Sequence, residues 1–473
     1  MTDSFDLIVI GAGPAGMAAA IEARRHRLAV LVLDEQPRPG GQIYRDVTQG
    51  DSARERVLGS DYQEGKALAR DFLGCGALYL PGAAVWQVTP ERSVHYLIDG
   101  RAEVAVGRYI LIATGAMERP MPIPGWTLPG VMTAGAGQIL LKSAALLPTG
   151  PVILAGSGPL LYLLAVQYLD AGIAVSALVD TAERNARWRA WRHWWPALGG
   201  WRDLRKGLRL LGRLRASSIP HYRGARELNV DGEGTAIGLS FQCNGHPYRL
   251  PANLILLHQG VVPNNHISRA LRLEHHWDEA QSCWRVKRDA WGRTTQAEVF
   301  VAGDGGGIGG AAVARVEGQL AVLAIASGAG RLDVSTRDRL ATRAIENRRR
   351  LLAVRPLLDA LYRPPLTLRV PADDVTVCRC EEVTAGDLRG FVDLGCLGPN
   401  QAKAFGRCGM GPCQGRQCAL TVTEVIAEYR GVHPEEVGDY RIRPPLKPIT
   451  LAQLAGEQRL RHPSLSLNEQ EPS

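Results

Sequence analysis

A glycine-rich turn between two apolar stretches near the N-terminus constrains the fold more than any other feature of this chain. The segment Phe5–Ile10 is apolar and β-favouring, Gly11–Gly16 reads GAGPAG, and a helical stretch follows. A second strand, AVLVL, then ends at Asp34 and Glu35, and an acid about 20 residues beyond the glycines is typical of dinucleotide-binding units. This order of elements predicts a strand–turn–helix–strand module for a dinucleotide, with an ordinary turn as the alternative.

Each part of this module has a physical role. Gly11 allows the tight turn, Gly13 lets a pyrophosphate approach the backbone, and Gly16 lets the helix pack closely on the strand. The free N–H groups and the positive dipole end of the helix favour phosphates. Asp34, or as the second choice Glu35, is expected to accept hydrogen bonds from the adenosine ribose hydroxyls.

Three later segments favour FAD over NAD. They are Gly40-Gly41-Gln42 after the acid, YILIATG ending at Thr114-Gly115, and VFVAGDG with Asp304. With them the chain resembles the glutathione-reductase-like flavoproteins over about residues 1–330, and the resemblance implies that Asp304 hydrogen-bonds the FAD ribitol. A simple turn at Thr114-Gly115 and a helix cap at Asp304 are the alternatives. The expected FAD contacts are Gly11, Gly13, Gly16, Asp34, Glu35, Gly41, Gln42, Val85, Thr114, Gly115, Gly303 and Asp304.

A second dinucleotide-like unit begins at Pro151. It has Gly156 and Gly158, but Leu161 occupies the position of a third glycine, where a bulky side chain should push helix and strand apart. Relatives of this architecture bind NAD(P)H here, so NAD(P) or another adenine nucleotide is one expectation and a retained fold with an altered ligand is the other. Neither module carries a cysteine pair, which argues against disulfide reductase activity.

The positive charge of the chain is concentrated in one segment. The net charge is +8, and residues 181–226 contain 12 Lys or Arg and two acids, which leaves the rest near neutral. Five of the ten tryptophans lie in this insert, and Trp188, Trp191 and Trp195 have the spacing of one helix face. A self-packed surface helix is one interpretation. The alternatives are docking of a protein partner and, after it, binding to a membrane surface or to nucleic acid. We predict contact with protein or lipid and no nucleic acid.

Six of the nine cysteines fall between Cys378 and Cys418. A C-x-C pair, Cys378 and Cys380, precedes Cys408, Cys413 and Cys418. Four thiolates hold a [2Fe–2S] cluster, whereas zinc commonly uses C-x₂₋₄-C pairs and disulfides are rare in the cytoplasm. The pattern therefore favours [2Fe–2S] over zinc or disulfides.

This segment resembles the bacterioferritin-associated-ferredoxin type of [2Fe–2S] domain, because GMGPC ends at Cys413. The resemblance implies that the ligands are Cys378, Cys380, Cys413 and Cys418. The gap of four residues between the last two departs from the C-x-x-C of the small ferredoxins, so Cys408 is the alternative for either late position. The ligand set therefore has one alternative member.

Over nearly its whole length the chain resembles the large α subunits of heteromeric bacterial amine dehydrogenases. This family includes opine oxidases, D-hydroxyproline dehydrogenase, archaeal-type proline dehydrogenases and hydrogen cyanide synthase, and the matching stretches are ERPMPIPGWTLPGVMTAGAGQILLKS and RPPLKPITLAQLA. The resemblance implies an electron relay. A β-type flavoprotein subunit would oxidise the C–N bond, FMN is an option at the interface, a small [2Fe–2S] γ subunit is an optional partner, and this chain would pass electrons to an external acceptor.

Two rivals stay open, a self-sufficient NAD(P)H-dependent flavin and iron–sulfur reductase and a binding protein with relict cofactors. No catalytic residue is assigned. A cytoplasmic location, with peripheral membrane contact through the complex as an option, is expected because no signal peptide or transmembrane stretch is evident.

The predicted fold class is α/β, with two Rossmann-like modules of glutathione-reductase type and a small C-terminal ferredoxin-like unit. The expected domains are an FAD module at 1–120 and 261–330, a second module at 121–260 with the insert 181–226, a helix and linker at 331–370, a [2Fe–2S] domain at 371–430 and a tail at 431–473.

Overall fold

The protein is a mixed α/β chain, and its computed structural model describes residues 5–50, 52–455 and 459–460. Residues 461–473 of the expected tail lie outside the described residues. The strands are β1 (Phe5–Ile10), β2 (Val30–Asp34), β3 (Leu78–Pro81), β4 (Ala84–Val88), β5 (Ser93–Ile98), β6 (Arg101–Ile112), β7 (Ala116–Glu118), β8 (Val131–Thr133), β9 (Val152–Gly156), β10 (Val175–Asp180), β11 (His221–Arg223), β12 (Arg226–Asp231), β13 (Gly238–Cys243), β14 (His246–Pro251), β15 (Leu254–His258), β16 (Val261–Pro263), β17 (His275–Asp278), β18 (Cys283–Val286), β19 (Val299–Val301), β20 (Thr376–Cys378), β21 (Val383–Thr384) and β22 (Arg459–Leu460). The helices are α1 (Pro14–Arg25), α2 (Ser52–Leu58), α3 (Ser60–Leu73), α4 (Ala134–Ala144), α5 (Pro159–Asp170), α6 (Ala186–Ala190), α7 (Trp194–Ala197), α8 (Trp201–Ala216), α9 (His266–Ala270), α10 (Ala311–Gly328), α11 (Val334–Leu352), α12 (Arg355–Leu361), α13 (Leu366–Arg369), α14 (Ala385–Asp393), α15 (Pro399–Gly406), α16 (Ala419–Arg430), α17 (Pro434–Val437) and α18 (Leu451–Ala455).

The first sheet has the order β3–β2–β1–β6–β5–β4, and β19 and β22 also pair with β6. Strands β1, β2, β3 and β19 run parallel to their neighbours, so both faces of this part are covered and the strands are almost uniformly apolar. On one face, Leu7 and Val9 pack against α1 and α10; on the other, Ile8 and Ile10 share a core with the cysteine-bearing C-terminal unit. The sheet thus lies between the helical layer and the cysteine unit.

The second sheet has the order β11–β10–β9–β15–β8, with all of its pairs parallel. Helix α5 follows β9 directly, which repeats the strand–turn–helix order of the first module. Leu161 on α5 is fully buried. A two-stranded antiparallel link, β7 with β16, connects the two modules.

The insert differs from the single helix that the tryptophan spacing predicted. The structure has α6, a 3₁₀ turn at Trp191–His193, α7, and then the longer α8. Pro196 explains the interruption, because a proline cannot donate to the carbonyl four residues earlier and its ring collides with that carbonyl. The tryptophans therefore lie on successive short elements.

Helix α10 is the one described helix that is long and apolar enough to cross a membrane by length and composition. Two thirds of that stretch, 67%, is buried inside the protein. It packs against α1 and α11, and its Val322 and Ile325 lie in the core that also contains residues of β1 and β19, which is the environment of a core helix.

The C-terminal unit consists of the β20–β21 pair and helices α14 to α17. Helix α14 begins with a capping box, in which Thr384 and Asp387 each accept a backbone amide of the other. Helices α14 and α16 pack together through Leu388, Val422 and Val425. This small core positions the loop that carries Cys408, Cys413 and Cys418.

Candidate functional site

The glycine turn forms an open cradle on the first sheet. A Cβ on Gly16 would overlap the carbonyl oxygen of Gly11, so α1 can pack this closely on β1 only with glycine there. A Cβ on Gly13 would meet only the Cα of Gly41, at 3.9 Å. Protein atoms therefore leave space beside Gly13, as a cradle for phosphates requires.

Asp34 ends β2 beside this cradle. Its carboxylate accepts the amide of Ala12 in the glycine turn and, at 2.7 Å, the amide of Gln36. Burial raises the pKa of Asp34, while the two backbone amides lower it. Glu35, the second choice for a ribose contact, is exposed and forms an ion pair with Lys447. The structure thus places Asp34 at the turn and directs Glu35 toward the C-terminal segment.

The other predicted FAD segments converge on the same edge. Thr114 Oγ1 donates to the carbonyl of Asn264 at 3.2 Å, and the amide of Asn264 donates to the carbonyl of Gly115 at 3.0 Å. A Cβ on Gly305 would lie 3.4 Å from the oxygen of Gly115, so the turn that begins at Gly303 approaches this pair. Val85 in β4 is buried. It lies near Asp34, because the amide of Ala83, two residues earlier, donates to the carbonyl of Asp34.

Asp304 lies in the turn before α10. Its Oδ1 accepts the amides of Gly309 and Gly310, both at 2.8 Å, and burial raises its pKa. In this structure the carboxylate therefore holds the loop before α10 and does not cap the helix, whose N-cap residue is Gly310. One of its two oxygens carries both contacts.

Two residues that the sequence did not single out hold this turn in place. Glu317 on α10 forms a bidentate pair with Arg288, at 2.8 and 3.0 Å, and accepts the amide of Gly303 at 2.9 Å. Both side chains are about nine tenths buried. The only sequence signal was one acid inside a mostly apolar helix.

Lys142 on α4 is a second residue that the sequence analysis missed. Its ammonium donates to Gln138 Oε1 at 2.8 Å and to the carbonyl of Gln42 at 3.2 Å, beside Gly41. Burial, with a smaller effect of Arg45, lowers the pKa of Lys142 to about 7. The lysine therefore ties the second module to the segment predicted to contact FAD.

Five cysteines gather in the C-terminal unit. The Sγ atoms of Cys378, Cys408 and Cys418 lie within 4.8 Å of one another and are buried. The thiol of Cys380 hydrogen-bonds that of Cys413, so these two form an adjacent pair nearer the surface. The structure thus brings together the four predicted ligands and the alternative, Cys408, in one region.

The electrostatics of this thiol group favour one anionic sulfur among neutral thiols. Hydrogen bonds from Cys408 and Cys418 lower the pKa of Cys378 to about 2. The hydroxyl of Tyr440 donates to Cys408 Sγ at 3.4 Å and lies 3.9 Å from Cys418 Sγ. The hydrogen bond with Cys378 raises the pKa of Cys418 and, to about 12, that of Cys408, so Cys378 is the thiolate of the three. Clustered cysteine sulfurs with a neutral donor beside them fit an iron–sulfur cluster. Cys396 lies apart, with its thiol 3.4 Å from the carbonyl of Gly398.

The edge of the second module is occupied by the chain itself. Asp180, at the end of β10, accepts the hydroxyl of Tyr162 at 2.7 Å and the amide of Ala182 at 2.9 Å. Tyr362, which follows α12 in the linker, hydrogen-bonds Tyr162, and their rings pack edge to face at 5.9 Å. The carboxylate that would face a ribose in this module is therefore covered.

Comparison with known proteins agrees with this architecture. The family model for pyridine nucleotide-disulphide oxidoreductases matches residues 5–183, and that for the sarcosine oxidase A3 domain matches residues 375–458. The chain resembles a solved L-proline dehydrogenase from P. horikoshii with a TM-score of 0.70 and 17% identity, over 96% of this chain and 79% of that one. These matches confirm the predicted α/β fold class with an FAD-type oxidoreductase domain.

Two curated relatives extend the comparison to the full length. The opine oxidase A subunit of Agrobacterium tumefaciens (strain Ach5) is 45% identical over 96% of this chain and 92% of its own. The HcnB subunit of hydrogen cyanide synthase from Pseudomonas aeruginosa is 32% identical over 93% of this chain and 96% of its own. The chain therefore belongs to the family of flavin-dependent oxidoreductase subunits that includes the A subunits of opine oxidases.

Proposed function

We propose that this chain is the FAD- and [2Fe–2S]-containing electron-transfer subunit of a heteromeric amine or amino-acid dehydrogenase. The observation that carries the proposal is that one chain combines an open glycine cradle at Gly13 with a buried group of cysteine thiols. Strand β1, which leads into the cradle, shares one apolar core with the buried cysteines through Ile8 and Ile10. A bound FAD would accept two electrons at a time, and an iron–sulfur cluster would carry one. Together they would pass electrons from a two-electron donor to a one-electron acceptor.

The residues that would hold FAD lie along one edge of the first sheet. The cradle at Gly11, Gly13 and Gly16 would receive the pyrophosphate, and Asp34 would face the ribose. Each Asp34 oxygen accepts one backbone amide and keeps a lone pair for a hydroxyl donor. Gly41, Gln42, Val85, Thr114, Gly115, Gly303 and Asp304 complete the proposed set.

The proposed cluster ligands are Cys378, Cys380, Cys413 and Cys418. Five thiols offer one more ligand than the cluster needs. Because Cys408 receives the hydroxyl of Tyr440, we assign it the role of a neutral neighbour that donates toward the cluster sulfur.

The rival function, a reductase that takes hydride from NAD(P)H, has less support. In a dinucleotide module the acid at the end of the second strand binds the ribose hydroxyls. Here that acid, Asp180, is buried and bonded to Tyr162, which is itself covered by Tyr362. A nucleotide would have to displace the linker to reach it.

The substrate and the partner are inferred from the relatives. The opine oxidase and hydrogen cyanide synthase relatives are both named as subunits, which supports a β-type flavoprotein partner that oxidises the C–N bond. Opines are therefore the first substrate class to test, and D-hydroxyproline, proline and glycine follow. An FMN at the interface and a small γ subunit extend the same proposal.

Dye reduction by the purified chain, with and without its β-type partner, tests this function. We expect turnover of an opine or amino acid only when both subunits are present. Turnover by this chain alone at the rate of the complex would make it a dehydrogenase in its own right. A parallel reaction with NADH and NADPH should leave the flavin absorbance unchanged, whereas rapid bleaching would establish the reductase.

A further inference from the structure

The insert presents an exposed aromatic and cationic surface, which we call the Trp–Arg surface. Its five indoles are strongly exposed, with 80% for Trp188, 73% for Trp191, 51% for Trp194, 80% for Trp195 and 54% for Trp201. Large apolar side chains that are exposed as one contiguous group mark interaction sites in soluble proteins. The described structure contains no element that covers them.

The charged part of this surface is the outer face of α8. Trp201, Arg205 and Arg209 are spaced four residues apart and therefore lie along one stripe of the helix. Between Ala186 and Ala216 three basic residues have ion pairs: Arg189 with Glu183, Lys206 with Asp61 and Arg213 with Asp170. The other basic residues form no ion pair within the described ranges; they are Arg187, Arg192, Arg202, Arg205, Arg209 and Arg215.

The opposite side of the insert is fixed to the body of the protein. Leu210, Leu211 and Leu214 of α8 belong to the core that includes α5, and Ala190 and Ala197 pack against the linker. Most leucines of α8 thus face the protein, and Leu208, which is 63% exposed, is the exception. What remains outward is a positively charged surface with indoles next to it.

We propose that the Trp–Arg surface binds an anionic phospholipid bilayer and holds this subunit flat against it. The free guanidinium groups complement lipid phosphates and carry attraction toward a negative surface. Indole has an apolar body and one N–H donor, and tryptophan is enriched where headgroups meet acyl chains. Because Leu210, Leu211 and Leu214 stay inside, the contact is shallow, and the indoles enter the interface together with Leu208.

A protein partner is the alternative occupant, because Trp and Arg are also enriched at protein–protein interfaces. The charge pattern favours lipid, because Asp203 is the one acid in residues 186–216 and no described carboxylate pairs with the six free arginines. A protein interface usually pairs each buried charge with a specific opposite charge. A lipid surface instead supplies many phosphates, so each arginine can bind one without a fixed partner position. Single-stranded nucleic acid, which also stacks on aromatic side chains, becomes an outcome of the test.

Vesicle flotation with the full-length chain tests the proposal. Binding to vesicles of phosphatidylcholine with phosphatidylglycerol should exceed binding to phosphatidylcholine alone by about tenfold or more at low salt, and added salt should weaken it. The combined variant Arg202→Gln, Arg205→Gln, Arg209→Gln should lose about tenfold or more of this binding. Its matched control is Arg101→Gln, Arg339→Gln, Arg343→Gln, which removes the same charge from exposed positions outside the insert and should bind as the wild type does.

A second variant tests the indoles. Trp188→Ser with Trp195→Ser changes two side chains that are 80% exposed, so the fold should persist by circular dichroism. Wild-type tryptophan emission should shift to the blue on anionic vesicles, and this shift should shrink in the variant. Equal binding of the two triple variants would overturn the proposal. So would salt-sensitive binding to single-stranded DNA without vesicle binding, or loss of partner-subunit binding in the insert variant without vesicle binding.

Discussion

The amide of Ala12 donates to the carboxylate of Asp34, which joins the glycine turn to the end of the second strand. The same carboxylate receives the amide of Gln36, so one buried side chain fixes the backbone on both sides of the proposed ribose position. Removing it should leave buried amides without partners, at a cost of about 1–3 kcal/mol. Asp34 is therefore a structural group as well as the proposed ribose contact.

We therefore expect Asp34→Ala to purify with much less flavin than the wild type and with a lower melting temperature. Glu35→Ala is the matched control, because Glu35 is the next residue but is exposed and pairs with Lys447. It should retain its flavin. The measurement is the ratio of flavin to protein absorbance, and equal losses in the two variants would contradict the assignment to Asp34.

Two glycines of the turn should respond differently to added bulk. Gly13→Val should keep the fold, because a Cβ there meets no atom closer than 3.9 Å, but should block the pyrophosphate and abolish flavin binding. Gly16→Ala should instead destabilise the protein, because its Cβ would overlap the carbonyl of Gly11. Thermal unfolding and flavin content separate the two effects. A yellow, fully occupied Gly13→Val protein would refute the cradle.

The glycine turn and Asp34 could be predicted from the sequence because a short, local pattern of residues encodes them. The bidentate contact of Glu317 with Arg288 could not, since it joins a helix to a distant loop and depends on tertiary packing. The contact of Tyr362 with Tyr162 also depends on tertiary packing, because it joins the linker to the second module. Local sequence also misled at the insert, where tryptophan spacing predicted one helix and Pro196 interrupts it.

The cysteine pattern predicted a cluster region but not how its thiols are distributed. The resemblance to the ferredoxin-type domain implied Cys413 and Cys418 as the late pair of ligands, whereas the structure groups Cys418 with Cys378 and Cys408. A loop that contains Gly409 and Gly411 folds back on itself here, and such a turn is set by contacts with Tyr440 and Cys380 that no linear spacing encodes. The role of Cys408 therefore requires an experiment.

We predict that Cys408→Ser retains a [2Fe–2S] cluster, with about two iron atoms per chain. Cys413→Ser and Cys418→Ser should lose the iron and the EPR signal of the reduced cluster, because each removes a proposed ligand. Cys396→Ser is the control, since its thiol faces the carbonyl of Gly398 outside the group. Iron retained in Cys413→Ser and lost in Cys408→Ser would transfer the ligand role to Cys408.

The buried pair of Glu317 and Arg288 should be costly to break. Glu317→Ala leaves the guanidinium and the amide of Gly303 without their acceptor, and loss of one partner of a buried pair costs about 3–5 kcal/mol. Glu346→Ala removes an exposed partner of Arg350 and should cost about 0–1 kcal/mol. Denaturant unfolding of both variants measures the difference. Similar small costs would show that the pair does not hold the Gly303 turn.

The last prediction concerns the pH dependence that Lys142 imposes on stability. Its pKa in the folded protein is about 7, below the ordinary value of 10.5, because the ammonium is buried. The unfolded chain therefore binds more protons between these two pH values, and this residue makes the free energy of unfolding rise as the pH increases through that range. The cost of burying the charged ammonium of Lys142 is fully present below pH 7.

Lys142→Met removes this titration but also the hydrogen bonds to Gln42 and Gln138. Relative to the wild type, the free energy of unfolding of the variant should thus be most favourable below pH 7 and should become progressively less favourable as the pH rises toward 10. Lys66→Met, which changes a lysine paired with Glu55 at the surface, should follow the wild-type curve at a constant offset. Urea unfolding at a series of pH values gives the curves. If the Lys142→Met curve also ran parallel to that of the wild type, the lysine would have an ordinary pKa in the folded protein.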